Sequence, residues 1–226
     1  MTQLGAPRLH LRETTSTNDL ARQLAAAGAP HGTLVTAGAQ SAGRGRQGRT
    51  WSAPAGRALL LSVVLRRPHA LLPLAAAVAV AQTCGDAARI KWPNDVLLDD
   101  RKVAGILAEG RPQEGWAVLG IGLNVAVRLD DLPPELHATA ATLGREPRDL
   151  EPTLATLLVD LEDALALPHA ALLDAWRARD ALLGRPVRWA GGEGTGAGVD
   201  GEGRLVVSLP GGGRTELDAG EVHLIR

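Results

Sequence analysis

The sequence predicts an α/β (α+β) chain, a mixed sheet flanked by helices and followed by a small β-rich unit. Three observations carry this. β-type apolar runs alternate with helix-period segments from Arg8 to Leu107; two amphipathic segments follow one another between Pro152 and Arg179; and from Leu183 onward short strand-like runs are separated by glycine clusters. At 226 residues and 45% hydrophobic, the chain is long enough for one substantial domain plus a small one. It contains no Phe and no Tyr, so the core has to be built from Leu, Val, Ala and Ile. Each buries less area than a ring, and packing must be spread over many positions.

Arg8 to Thr14 alternates as a strand does, and Ser16 or Thr17 caps a helix running to about Ala27, where Gly28 and Pro30 end it. Thr33 to Gly38 is a second strand. Ala58 to Leu65 is an apolar run bounded by Arg67-Pro68, fit for a buried central strand, and Leu71 to Thr83 is a helix covering it. Arg89-Ile90-Lys91, the turn Pro93-Asn94-Asp95, the run Val96-Leu97-Leu98, the turn Asp99-Asp100 and Lys102 to Leu107 form a hairpin. Trp116 to Val125 is a strand whose Gly120 and Gly122 mark a close approach to the backbone. Leu129 to Pro147 loses periodicity and is expected to be a long loop with a short helical turn, of the kind that serves as a lid. Helices follow at Pro152 to Leu165 and His169 to Arg179. Strand-like runs at Arg185 to Ala190, Arg204 to Leu209 and Glu221 to Ile225 then predict a small barrel, with the glycine stretches at 191–196 and 211–213 as hairpin turns. These features divide the chain into domains at 1–180 and 181–226.

Composition narrows the function. The formal net charge is -1, with Lys+Arg 24 against Asp+Glu 25, so there is no overall electrostatic footprint for nucleic acid. The start, Met1-Thr2-Gln3-Leu4-Gly5, lacks the charged and apolar regions of a secretion signal, and Leu71 to Ala81 is too short to cross a bilayer core of roughly 30 Å. The single Cys84 forms no internal disulfide; together these point to the cytoplasm. The six His residues are scattered, without the close pairing of a metal site.

Within nine residues, Gly43 to Trp51 places Arg44, Arg46 and Arg49 among Gly43, Gly45 and Gly48. Such a loop repels itself unless an anion is bound. Guanidinium forks match phosphate or carboxylate geometry, and glycine lets backbone amides reach the same oxygens. A solvated loop or an Arg-Gly tract for RNA competes with this. The near-neutral composition and a supply of only five Trp for base stacking weaken both alternatives. The glycines also satisfy the dinucleotide fingerprint, but Pro54 and Gly56 follow where that fingerprint needs a helix.

Four separated segments hold polar groups where a plain core would not: Ser16-Thr17-Asn18, Gln40 to Trp51, Lys91 to Asp95, and Lys102 to Gly105 with Gly120 to Asn124. Singly, each is explained as a helix cap, a turn or a solvated strand end. Their joint order, Ser-Thr-Asn, Gln-x-x-Gly-Arg-Gly-Arg-x-Gly-Arg-x-Trp, Lys-Trp-Pro-Asn-Asp, Lys-x-x-Gly-Ile-Leu and Gly-Ile-Gly-Leu-Asn, resembles the biotin protein ligases over about residues 14–125. A weaker resemblance to that family's C-terminal barrel covers Leu183 to Arg226.

The resemblance implies a class II aminoacyl-tRNA-synthetase-like catalytic domain with a small Src-homology-3-like barrel. It also implies two-step chemistry: biotin and MgATP yield biotinyl-5'-adenylate and pyrophosphate, and a lysine of a biotin carboxyl carrier protein, such as that of acetyl-CoA carboxylase or pyruvate carboxylase, then takes the biotin. By resemblance, Lys102, Arg46 and Arg44 are the catalytic set. Lys102 lies between the biotin carboxylate and the α-phosphate, and Arg44 and Arg46 hold the phosphates and adenylate. Ser16, Thr17, Asn18, Gln40, Arg44, Gly45, Arg46, Lys102 and Gly105 are implied for biotin; Arg46, Arg49, Trp51, Asn94, Asp95 and Asn124 are implied for ATP and the adenylate, with Asp95 acting indirectly on Mg²⁺. The arginine loop and Val125 to Thr142 are expected to order over the ligand and exclude water from the anhydride.

Some members of this family carry an N-terminal DNA-binding domain; only about 15 residues precede Ser16 here, fewer than a helix-turn-helix needs, so no operator binding is expected. Leu129 to Leu136 has no aromatic residue to cover adenine, which leaves Leu129 or Leu132 as an aliphatic cover, and Arg226 ends the chain one residue beyond the expected pattern. The resemblance also implies a homodimer paired through sheet edges, which nothing in the spacing demonstrates. A lipoate ligase or octanoyl transferase of related fold is the enzymatic alternative, and a noncatalytic biotin- or nucleotide-binding protein the other. The first has no use for a ureido-binding Gln40, the second none for Lys102.

Overall fold

The leucine- and valine-rich runs become a seven-stranded sheet in the computed structural model, which describes residues 4–225. Strand β1 (Arg8–Leu11) leads through helix α1 (Thr17–Ala26) to β2 (Leu34–Ala37), and the two strands pair in parallel. The other neighbours are antiparallel. After β3 (Ala58–Arg66), helix α2 (Leu72–Cys84) crosses to the far edge, and β4 (Arg89–Lys91), β5 (Asp95–Leu98), β6 (Arg101–Arg111) and β7 (Trp116–Asn124) step back until β7 lies against β3. The resulting order is β1-β2-β3-β7-β6-β5-β4. Helices α3 (Leu150–Ala166) and α4 (His169–Arg177) precede a second, five-stranded sheet of β8 (Pro186–Trp189), β9 (Gly192–Val199), β10 (Leu205–Ser208), β11 (Arg214–Leu217) and β12 (His223–Leu224), ordered β11-β10-β9-β8-β12.

The alternation of β3 decides which face does what. Leu59, Leu61, Val63 and Leu65 join the large apolar cluster with α2, α3 and α4. On the opposite face, Val64 packs with Ala21 and Ala25 of α1, while Ala58 and Leu60 pack with Val127, Leu132 and Ala140. Between these two clusters lies Ser62, fully buried. Helix α2, apolar on nearly every side, is buried between the sheet and α3, and its alanines permit that close approach. In place of Phe and Tyr, Trp176 and Trp92 anchor the interior. The Trp92 indole nitrogen donates to Gly203 O at 3.1 Å, tying the two sheets together. Val187, Leu205 and Val207 of the second sheet belong to the same cluster as α2, so packing runs on without a gap past residue 180.

Three expectations change in detail. The first strand stops at Leu11 because its partner β2 ends at Ala37; Thr14 then meets Gln40 through a single bridge. Gly192–Val199 is a strand, not a turn. A side chain at Gly194 or Gly196 would overlap the carbonyl oxygens of Ser208 and Leu182, so these glycines serve close approach of neighbouring backbone. Arg214–Leu217 is a strand that its mostly polar composition concealed. The long segment after Asn124 contains short 3-10 turns at Leu129–Asp131, Pro134–Leu136 and Pro147–Asp149. Arg226 lies outside the described residues. Among the described residues, no helix is long and apolar enough to cross a membrane.

Candidate active site

Glycines make the floor. In the ladders, Gly105 stands opposite Gly122 and Leu107 opposite Gly120, while on the other side of β7 Gly122 faces Leu60 and Gly120 faces Ser62. Stripping side chains from the middle of the sheet leaves room above it. A Cβ at Gly122 would overlap the Trp51 indole, one at Gly120 would overlap the Asn18 amide oxygen, and one at Gly105 would come within 3.1 Å of Lys102 Nζ. The result is a cavity of about 680 Å³, within the usual range for a small-molecule site. Ser16, Thr17, Asn18, Gln40, Arg44, Gly45, Arg46, Arg49, Trp51, Asn94, Asp95, Lys102, Gly105 and Asn124 all line it.

One end is built on the start of α1. Ser16 is the N-cap residue in extended conformation but makes no side-chain cap bond. Instead Gln40 Oε1 accepts from the Thr17 backbone N–H at 2.7 Å, and Ser16, Thr17 and Asn18 are all nearly inaccessible. Arg44 belongs to this end. Its guanidinium donates to Asp19 at 2.5 Å and to Glu109 at 2.9 Å, and the Asp19 bond foremost raises its pKa.

The other end is cationic around one carboxylate. Lys102 Nζ lies 2.6 Å from Asp95 Oδ1 and 5.6 Å from the Trp51 ring centroid, a cation–π distance. Arg46 Nη1 reaches Asn94 Oδ1 at 3.4 Å, and Asn94 is held by donation to Ile106 O at 2.9 Å. Burial, reinforced by Arg49, lowers the pKa of Arg46, with Asp95 opposing. Lys91 is lowered in the same way, first by burial and then by Lys102 and Arg49, against Asp95. These are cations gathered and partly dried, the state in which an anion is most welcome. Asn124 donates to Ala141 O at 2.9 Å. Among the described residues, its Oδ1 and Trp51 Nε1 are buried without a partner, two polar groups left for a ligand.

The arginine loop closes as a tight hairpin: Gly45 N–H donates to Arg49 O at 2.7 Å and Trp51 N–H to Gly43 O at 2.9 Å, around a 3-10 turn at Arg46–Gly48. Gln47 (φ 54°) and Gly48 (φ 76°) take the left-handed conformation there. Arg49 leaves the loop to pair with Glu221 at 2.5 Å, and Arg185, His223 and Leu224 also line the cavity, so the second sheet supplies part of its wall. From the segment after Asn124, Leu132 and Leu136 line the cavity, whereas Leu129 packs against the cluster of Ala58 and Leu60. The segment is held to β6 by Lys102 N–H donating to Thr139 O and Ala141 N–H to Lys102 O, each at 2.7 Å.

Sequence reasoning carried Lys91 only as the start of the polar segment Lys91 to Asp95, without a site role, and passed over Ser62, Glu109, Arg185 and His223. A lone hydroxyl in the apolar run 58–65 was the available signal for Ser62; the second-sheet residues offered none. Among the described residues no group of three His, Cys, Asp or Glu is placed to hold a metal.

Residues 11–125 match the biotin/lipoate A/B protein ligase family. The chain is 41% identical over 143 residues to the bifunctional ligase/repressor BirA of Bacillus spizizenii, a match covering 58% of this chain and only 44% of that protein. To the biotin–[acetyl-CoA-carboxylase] ligase of Mycobacterium tuberculosis it is 35% identical over 237 residues, covering 95% of this chain and 87% of the relative. Among solved structures, the biotin protein ligase of Aquifex aeolicus in complex with biotin and ATP superimposes with a TM-score of 0.83 at 27% identity, covering 98% and 99% of the two chains. With the motif segments gathered on one glycine floor and these matches spanning nearly the whole fold, the chain belongs to the biotin/lipoate A/B protein ligase family.

Proposed function

We propose that the protein is an ATP-dependent biotin protein ligase. It activates biotin as biotinyl-5'-adenylate and transfers it to a lysine of a biotin carboxyl carrier domain, of the acetyl-CoA carboxylase or pyruvate carboxylase class, in the cytoplasm. The observation that carries this is the two-ended cavity, with neutral hydrogen-bonding groups at Thr17 and Gln40 and the cations Lys102, Arg46 and Lys91 around Asp95. Gly105 and Glu109 are four residues apart on β6, ~13 Å at strand rise. That separation suits a ligand with a polar head at one end and a reacting carboxylate at the other.

In the first step a biotin carboxylate oxygen bonds to the α-phosphorus as the bond to pyrophosphate breaks. Lys102, beside both, offsets the repulsion of the two anions, and Arg46 holds the phosphates. No side-chain nucleophile is needed. In the second, the carrier amine attacks the acyl carbon, the bond to AMP breaks, and the amine proton is lost. Trp51 and Asn124 offer their unpartnered polar atoms on the nucleotide side, with Leu132 as the aliphatic cover. Asp95 is the carboxylate that would act, indirectly, on Mg²⁺, and the ion would supply neutralisation of phosphate charge. Pairing of two copies through a sheet edge, for which β1 is available, belongs to the same proposal.

Incubation with ATP and either biotin or lipoate, following pyrophosphate with and without a carrier domain, tests this. Biotin-dependent release and carrier labelling are expected. Turnover of lipoate in preference to biotin would make it the related lipoate enzyme, and binding without pyrophosphate a noncatalytic protein.

A further inference from the structure

Ser62 and Glu109 lie behind the head-group end of the cavity and are bonded to it. The Ser62 hydroxyl is 2.6 Å from Asn18 Oδ1 and 2.8 Å from Thr17 Oγ1. Asn18 Nδ2 is 2.9 Å from Glu109 Oε2 and 3.4 Å from Leu107 O. Glu109 Oε1 accepts from Arg44 at 2.9 Å and faces Arg22 at 3.7 Å, while Asp19 takes the other arm of Arg44 at 2.5 Å and faces Arg22 at 3.6 Å. Two carboxylates and two guanidiniums balance, so Glu109 brings no net charge to this end.

The hydrogens in this chain can be assigned by elimination. A carboxylate only accepts, so the side of the Asn18 amide facing Glu109 is its NH₂, and the oxygen facing Ser62 carries no hydrogen. The hydrogen in the 2.6 Å contact is therefore that of Ser62. Ser62 has no second one, so the 2.8 Å contact is bridged by the hydroxyl hydrogen of Thr17, which takes this shorter contact over the 3.1 Å one to Gln40 Oε1 because two oxygens at 2.8 Å with no hydrogen between them would repel. Thr17 Oγ1 is left to meet a ligand with lone pairs. Gln40 Oε1 is already accepting from the Thr17 backbone at 2.7 Å, so the Gln40 amide nitrogen is its free donor. Asn18 spends both hydrogens internally, on Glu109 and Leu107.

We infer that Glu109 is a positioning residue: through Asn18 and Ser62 it sets the hydrogen-bond polarity of Thr17, so that the cavity end takes a head group presenting an N–H beside a C=O. The identity of the ligand rests on the ligase proposal, which this deepens. A cyclic urea carries both groups and a dithiolane ring carries neither, so the relay is a means of choosing biotin over lipoate. Burial in the middle of β3 makes the device rigid, because a hydroxyl at Ser62 has no water to turn to.

The test uses the full chain as wild type, E109Q and S62A. It reads the side-chain amide NMR signals of Asn18, the melting temperature, and pyrophosphate formation with biotin and ATP varied separately. In wild type the Asn18 NH₂ pair should be displaced and slow to exchange. In E109Q, whose side chain can present its own NH₂, that signature should be lost, and KM for biotin should rise about tenfold, as for one misdirected hydrogen bond, while KM for ATP stays within about twofold. S62A cuts the chain beyond Asn18, so the Asn18 signature should persist while KM for biotin still rises. An unchanged Asn18 pair in E109Q, or equal rises in both KM values, overturns the inference. If wild type turns over no biotin but the Asn18 pair still depends on Glu109, the ligase proposal falls and the relay stands. Normal biotin turnover with an indifferent Asn18 pair sinks the relay alone.

Discussion

Removing the ammonium of Lys102 should slow adenylate formation about 100-fold. Nζ sits 2.6 Å from Asp95 Oδ1, beside the floor glycine Gly105 and 5.6 Å from the Trp51 ring centroid, where the biotin carboxylate and the α-phosphate would meet. A unit charge ~4 Å from developing charge contributes roughly 4 kcal/mol at an effective dielectric near 20. Two features reduce this. The side chain is 33% exposed, so solvent screens it, and Asp95 already absorbs part of its field. About 2.7 kcal/mol remains, a factor of ~100 in rate. The loss should fall on kcat, because repulsion between the two anions is greatest as they bond, with KM for biotin changing only a few-fold. K102M is the sharper variant, since it keeps an apolar stem against Trp51 while deleting the charge. Biotin-dependent exchange of labelled pyrophosphate into ATP measures the first step alone. A fall in kcat under about threefold, or a loss carried wholly by KM, would refute the placement of Lys102 at the reacting junction.

Other perturbations separate the remaining parts. R46Q should speed release of the preformed adenylate more than release of biotin, as the proposed hold of Arg46, beside Asn94, on the phosphates requires; equal changes in both off-rates, measured by stopped flow, would contradict it. Lys91 is held below the 10.5 of the free side chain, chiefly by burial, so the unfolded chain binds its proton more tightly than the folded one. The resulting penalty is full below the lowered pKa and fades as pH climbs toward 10.5, so wild type should gain stability relative to K91M over that window, and a flat or opposite difference in melting temperature would count against it. G122A should push the Trp51 indole off the floor, at about 1–3 kcal/mol of overpacking, and raise KM for ATP; an unchanged melting temperature and KM would show that Trp51 does not need that space. Cys84, pushed up to about 12 by burial against the pull of Arg145 and Arg179, should be alkylated at pH 8 roughly 1,000-fold more slowly than free cysteine until the chain is unfolded; comparable rates would mean the thiol is not shielded.

The residues proposed to bind anions were legible because their types are rare in combination. Arginines among glycines, and lysines beside Pro-Asn-Asp, have few other uses, and they declared the loop and the β4–β5 turn before any packing was known. The strand Ala58–Arg66 and the helix Leu72–Cys84 were legible from apolar content alone. Ser62 and Glu109 were not: a lone hydroxyl in the apolar run 58–65 marks Ser62 as unusual without saying what it meets, and nothing local distinguishes a glutamate at a strand end. Their roles arise from the register that puts Ser62 opposite Gly120 and Leu107 opposite Gly120 on the other side, and from the docking of α1 over that point. The same holds for Arg44, whose motif announced an anion ligand while its partners in the fold are Asp19 and Glu109.

By itself, then, the sequence determined the fold class and which reactive groups the protein brings: the cationic loop and lysines, and the small polar cluster at the first helix. Those depend on residue type and short spacing, which a linear chain displays directly. Tertiary structure alone decided how the groups are shared. It set three glycines side by side as a floor, brought Lys102 to Asp95, sent Arg49 to Glu221 of the second sheet, and threaded hydrogen bonds from Glu109 to Thr17. These are pairings between residues distant in the chain, and a hydrogen bond or ion pair has direction and reach that only folded coordinates supply.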